Sequence, residues 1–289
     1  MSAKQEIVAD RSDAVLVLQG TAVELRDVET VARLTAARRI ACPAPNVYKL
    51  SNAQSHEKLQ AMCNEFKLDF AFVPATLNLS YFKLVAMDMD STLINIETLD
   101  EVADYAGLKH EIAAITEQSM NGAVDFAESL RHRVALLKGL DASALERVYV
   151  ERLELNPGAE KFIATLKAHG IKTMLVSGGF TFFTERLKAR LGLDFAHANT
   201  LEVVDGKLTG QVLGDIVDAQ AKAYLLNHTR VELDLHGEQV IAIGDGANDL
   251  KMMAQAGSSI AYHAKPIVRT QASYALNFVG LNGLVNLFA

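Results

Sequence analysis

The stretch KLVAMDMDSTLINIE, residues 83–97, sets an apolar run directly against two aspartates, Asp88 and Asp90, with Ser91, Thr92 and Glu97 after them. The run is almost continuously apolar, the pattern of a strand buried on both faces of a parallel sheet. Taken alone, an Asp-x-Asp pair at a strand end can simply be solvated or cap the next turn. Two other segments decide between that reading and a chemical one.

IKTMLVS, residues 171–177, and QVIAIGD, residues 239–245, repeat the apolar pattern, and each ends on a polar residue, Ser177 and Asp245. Ligands of open α/β sheets sit at the carboxyl ends of the strands, so Asp88, Ser177 and Asp245 are expected to share one crevice. In GDGAND, residues 244–249, the glycines permit close backbone approach and Asp249 opens a helix. Four carboxylates in one crevice repel one another unless a cation neutralises them, and hard oxygen donors match magnesium better than a soft metal. His236 and His263 stand alone and offer no competing metal cluster.

Such a site could serve a carboxylate nucleophile that attacks phosphorus, or could merely hold water or a nucleotide. The first option needs anion-binding groups nearby. VSGGF, residues 176–180, offers Ser177 and the amides of Gly178 and Gly179 ahead of a helix whose amino terminus favours anions. Lys222, in DAQAKAYLL, starts a helix just upstream of the third strand and can neutralise a phosphoryl oxygen. Singly, Ser177 reads as a helix cap and Lys222 as a surface charge; their order relative to both aspartate pairs favours a phosphate site. A GxxxxGK[ST] phosphate loop is lacking, and GDGAND is not a dinucleotide fingerprint.

Around these strands the chain alternates strand and helix from Tyr81 onward, the rhythm of a parallel sheet flanked by helices. Helical periodicity in TLDEVADYAG, HEIAAITEQSM, DFAESLRHRVALLKG and DASALERVYVERL makes an insert too long for a crossover, and predicts a helical cap over the strand ends. Gly107, Gly139 and Gly170 close helices, and Asn156 with Pro157 opens one. NTLEVVDGKLTGQVLGD alternates around Asp205-Gly206, a hairpin signal. Residues 1–80 read as short alternating strands and helices, a small split βαβ, ferredoxin-like α+β unit. The expected division is therefore 1–80, a core of 81–98 with 157–289, and a cap of 99–156.

Composition agrees with a globular protein of 289 residues, half of them hydrophobic. A formal charge of -7, spread along the chain, argues against nucleic acid or an anionic membrane as partner. Cys42 and Cys63 are too few for a disulfide framework or a zinc site. A start without a basic, apolar leader points to the cytoplasm.

DMDST, SGGF, the Lys222 helix and GDGAND occur in the order seen in the haloacid dehalogenase superfamily, which residues 83–262 resemble, most closely its phosphoserine phosphatases. The resemblance implies a Rossmann-like core and magnesium-dependent hydrolysis of O-phospho-L-serine to L-serine and phosphate, the last step of L-serine biosynthesis. It implies that Asp88 is the nucleophile and that Asp90 is the acid and base. Magnesium is then held by Asp88, the Asp90 main-chain carbonyl and Asp245, with Asp249 orienting that shell. Substrate groups carried over are Glu97 for the ammonium, Arg133 for the carboxylate, Met120 and Phe126 as an apolar lid, and Ser177, Gly178, Lys222 and Asn248 around the phosphate. Alignment with the family's pattern from Phe126 selects Arg133 rather than Arg131.

Residues 1–80 resemble the small ACT-type regulatory domains, beside a plainer reading as a packing module or the contact of a homodimer. Two other functions are distinguishable. A related phosphatase for another small phosphate, such as phosphohomoserine, keeps the motifs and differs in the cap. A sensor without turnover is expected to lose Asp88 or Asp90, and both are present.

Overall fold

The computed structural model describes residues 14–120 and 125–289, side chains at 117–120 excepted. The amino-terminal elements are β1 (Ala14–Gln19), α1 (Leu25–Leu34), β2 (Arg39–Ala44), β3 (Val47–Ser51), α2 (Leu59–Glu65) and β4 (Asp69–Pro74). The strands pair antiparallel in the order β2-β3-β1-β4. Strict alternation in DFAFVP buries Asp69, Ala71 and Val73 on one face. Leu16, Leu18, Val28, Val31, Leu50 and Leu59 form the core between the sheet and its helices.

The other face of that sheet is covered by the rest of the protein. Val17, Val47, Ala71 and Val73 join one apolar cluster with Phe82, Leu284, Leu287 and Phe288. Polar groups match across the same seam. The buried Asp69 carboxylate accepts from the backbone amides of Asn277, Phe278 and Val279 at 2.6, 3.0 and 3.0 Å. Gln19 donates to the Gly283 carbonyl at 3.0 Å and accepts from Asn286 at 2.8 Å.

The larger unit continues with β5 (Leu84–Met87), α3 (Thr98–Tyr105), α4 (Lys109–Met120), α5 (Phe126–Leu136), α6 (Ser143–Glu151), α7 (Ala159–Ala168) and β6 (Lys172–Phe180). After these come α8 (Thr181–Leu191), β7 (Phe195–Val204), β8 (Lys207–Leu213), α9 (Ala219–Glu232) and β9 (Val240–Gly244). The chain ends with α10 (Leu250–Met253), β10 (Ser258–Tyr262), α11 (Pro266–Gln271), β11 (Tyr274–Leu276) and α12 (Gly283–Phe288). The sheet order is β11-β10-β9-β5-β6-β7-β8, parallel throughout except for the β7–β8 hairpin. Its turn residues, Asp205 and Gly206, have φ of 51° and 75°, the left-handed pair that a tight hairpin requires.

β5 lies at the centre, and Met87 is level with Leu175 of β6 and Ile243 of β9. The residues just past these positions therefore emerge side by side at one sheet edge. Asn156 and Pro157 lead into α7 as expected, the Ala159 amide donating to the Asn156 carbonyl at 3.1 Å, while the Asn156 side chain donates to the Thr92 and Ile94 carbonyls at 2.8 and 3.0 Å, pinning the loop after β5. Among the described residues no helix is long and apolar enough to cross a membrane.

Candidate active site

β5 delivers Asp88, the turn after it brings Asp90 back to the same edge, and Ser91, at φ 55°, then redirects the chain. Asp88 Oδ1 accepts from the Met89 amide at 2.7 Å and from Lys222 Nζ at 2.8 Å. Lys222 Nζ also reaches Asp249 Oδ1 at 2.8 Å. Asp90 Oδ1 accepts from the Thr98 amide at 2.8 Å, and Asp90 Oδ2 from Ser177 Oγ at 3.2 Å. Asp245 Oδ1 accepts from Thr92 Oγ1 at 3.1 Å.

Carboxylate oxygens of Asp88, Asp245 and Asp249 lie within 4.8 Å of one another, an all-oxygen donor set that suits a hard divalent cation. Their crowding is visible in their acidities. Burial, then the Asp249 charge, raises Asp88 well above the usual carboxylate range, and the same two causes raise Asp245 to about 6. Burial also raises Asp90, against hydrogen bonds from Thr98 and Ser177. Burial would lower the Lys222 ammonium, but Asp249 and Asp88 reverse this and hold it above the ordinary lysine value.

The long insert faces this cluster from α3 and α5. Phe126 Cζ stands 3.0 Å from where a Cβ on Gly178 would be, so the ring sits directly on the loop after β6. Arg133 is buried, donating to Thr116 Oγ1 at 3.1 Å, and its charge is felt by Asp100 and Glu97. Glu97 accepts from Ser91 Oγ at 2.6 Å; desolvation on its protein side, then the Asp90 charge, raises it to about 7. Asn248 is half-buried beside Gly246. Arg131 is exposed. Met120 closes α4 and lies outside the residues whose side chains are described. One expectation needs correcting. The Gly179 amide does not face a ligand, because it donates to Ser177 Oγ at 2.8 Å.

A family model, haloacid dehalogenase-like hydrolase, matches residues 82–257. The chain is a haloacid dehalogenase-like hydrolase. The hydrolase is 54% identical over 216 residues to a phosphoserine phosphatase of Polaromonas sp., covering 73% of this chain and 92% of that relative. In three dimensions it is similar to a probable phosphoserine phosphatase from Vibrio cholerae in unliganded form, with TM-score 0.82, 38% identity and coverage of 96% of this chain and 87% of that one. A HAD family hydrolase from Salmonella enterica serovar Typhi superposes with TM-score 0.86 at 33% identity, covering 96% and 98%.

Four residues of the hydrolase's site escaped the sequence reading. Thr92 orients Asp245, Thr98 caps Asp90 through its amide, Thr116 supports Arg133, and Asn199 grips the loop after β6. Each is a single polar residue without a periodic pattern. Thr92 alone had a signal, the hydroxyl two residues after Asp90.

Proposed function

We propose that this hydrolase is a magnesium-dependent phosphoserine phosphatase that works through an aspartyl-phosphate on Asp88. The relatives named phosphoserine phosphatase support the substrate. The observation that carries the chemistry is Asp88, buried and fixed by Lys222 and the Met89 amide, with Asp90 beside it but held by different partners.

Asp88 attacks phosphorus, the bond to the serine oxygen breaks, and Asp90 gives that oxygen its proton. Asp90, now a carboxylate, takes a proton from the water that attacks the aspartyl-phosphate, and orthophosphate leaves. Division of labour follows from environment. Asp88 lies against the Lys222 cation, which favours its carboxylate, whereas burial raises Asp90 and favours its protonated form. Ser177, the Gly178 amide, Lys222 and Asn248 surround the phosphoryl oxygens. Asp88, the Asp90 carbonyl, Asp245 and Asp249 hold or orient magnesium, which when bound neutralises developing phosphoryl charge. Glu97 takes the substrate ammonium and Arg133 its carboxylate, under a lid of Phe126 and Met120.

This reading treats residues 99–156 as the cap, 81–98 with 157–289 as the phosphatase core, and 1–80 as an ACT-like unit; the strand order of the small sheet and the position of α3–α6 between β5 and β6 support it. A cytoplasmic homodimer without nucleic-acid partners belongs to the same reading. Phosphate release from O-phospho-L-serine, with and without magnesium, for wild type and Asp88→Asn, tests it. Metal-dependent release lost in the variant is expected. Activity confined to phosphothreonine or phosphohomoserine would overturn the assignment of the cap.

A further inference from the structure

The two glycines after Ser177 stand where the site leaves no room for a side chain. A Cβ on Gly178 would meet Phe126 at 3.0 Å, and one on Gly179 would meet Asp90 Oδ2 at 2.7 Å. Consecutive glycines also rotate more freely than any other backbone, so close approach leaves this loop under-determined by its own sequence. The neighbouring strand does not supply the restraint. Pairing of β6 with β7 is irregular between Val176 and Phe180, and resumes where Phe180 lies opposite Asn199.

Two side chains take the place of the missing ladder. Asn199 Nδ2 donates to the Gly178 carbonyl at 2.8 Å, and the Gly179 amide donates to Ser177 Oγ at 2.8 Å. These are the two ends of one peptide unit. The Asn199 side-chain oxygen accepts from the Val217 amide, also at 2.8 Å. Val217 leads into Asp218, which caps α9 through the Ala221 amide, and Lys222 follows on that helix. Asn199 itself is buried, 1% exposed, with both amide atoms engaged.

We propose that Asn199 is a positioning residue for phosphoryl transfer, locking the Gly178–Gly179 peptide and tying the Ser177 loop to the segment that carries Lys222. The role rests on the assignment of Ser177, Gly178 and Lys222 to the phosphoryl group. Groups aimed in advance at a transferring phosphoryl act without reorganising during the reaction, and loss of aim lowers the rate rather than merely the stability.

Asn199→Asp is isosteric, keeps the acceptor for Val217 and loses the donor to Gly178. The expected result is a kcat for O-phospho-L-serine reduced roughly ten- to a hundredfold, in a protein that is still folded at the assay temperature. Because Asn199 and Ser177 hold one peptide, Ser177→Ala combined with Asn199→Asp is expected to fall short of the product of the single losses. An unchanged kcat in folded Asn199→Asp, or losses that simply multiply, would overturn the proposal. So would Asn199→Asp and Asn199→Ser both melting below the assay temperature, which assigns the residue to stability. All proteins are also assayed on p-nitrophenyl phosphate. Wild type that turns over this ester but not phosphoserine overturns the substrate reading alone, and the same criteria for Asn199 are then applied to the chromogenic substrate.

Discussion

Lys222 Nζ lies 2.8 Å from Asp88 Oδ1 and 2.8 Å from Asp249 Oδ1, with all three side chains withdrawn from solvent. One ammonium therefore bridges the end of β5 and the loop after β9. Lys222→Met leaves two buried carboxylates facing each other, and breaking a buried pair in this way costs roughly 3–5 kcal/mol. Urea unfolding of the metal-free protein at pH 7 is expected to show that loss. The loss should shrink at acid pH, where the carboxylates take up protons, and an unchanged midpoint would contradict the bridging role.

Asp245 makes the metal-free protein sensitive to pH. Its folded pKa of about 6 lies above the unfolded value, so its favourable contribution is complete at low pH and disappears as pH rises through about 6. The span is at most about 3 kcal/mol. Melting temperature in EDTA should decline across that window for wild type and much less for Asp245→Asn. Added magnesium should restore stability at pH 7.5 in wild type and fail to do so in the variant.

Asp90 is held by the Thr98 amide and Ser177 Oγ, so Asn fits the same space with one hydrogen bond reversed. Asp90→Asn is expected to lower turnover roughly 10²- to 10⁴-fold, the ordinary worth of general acid–base catalysis. Retention of full turnover would remove the acid and base role.

Glu97 and Arg133 should select the substrate without touching the chemistry. Glu97→Gln is expected to lower kcat/KM for O-phospho-L-serine about tenfold or more, the loss of a charge-assisted contact, while p-nitrophenyl phosphate is affected little. Since Glu97 titrates at about 7 and binds an ammonium only when ionised, KM for phosphoserine should fall as pH rises through that value. Equal effects on both substrates would move Glu97 out of the head-group site.

Asp69 fastens the small sheet to the segment after β11. Asp69→Asn is expected to cost roughly 2–3 kcal/mol in urea unfolding, because an amide cannot accept three backbone donors as a carboxylate does. A chain beginning at Tyr81 should melt lower still, with Phe82 and Phe288 uncovered. If serine inhibits that shortened chain and the whole protein equally, residues 1–80 have no regulatory part.

The three apolar runs that end at Asp88, Ser177 and Asp245 were legible because strands buried on both faces leave an uninterrupted signature. Where they end, the sheet must expose polar groups. The hairpin at Asp205-Gly206 was legible for a similar local reason, since few residue pairs adopt two left-handed conformations in succession. Asn156 and Pro157 announce α7, but that local signal cannot foresee that the Asn156 side chain donates to carbonyls brought to it from Thr92 and Ile94. Asn199 and Asp69 carried no signal at all. Their partners lie 18 to 21 and 208 to 210 residues away, and only strand register and domain docking bring them within reach.

By itself, then, the sequence determined the parallel sheet, the order of the strand ends and the kinds of group gathered there, because each of these is written in local periodicity and in residue chemistry. The tertiary structure alone decided which carboxylate shares its ammonium with which, which amides are spent inside the loop after β6, and how residues 14–80 close over the last helix. Hydrogen bonds and ion pairs act over a few ångströms in space, whatever the separation along the chain, so they exist only once the packing has been made.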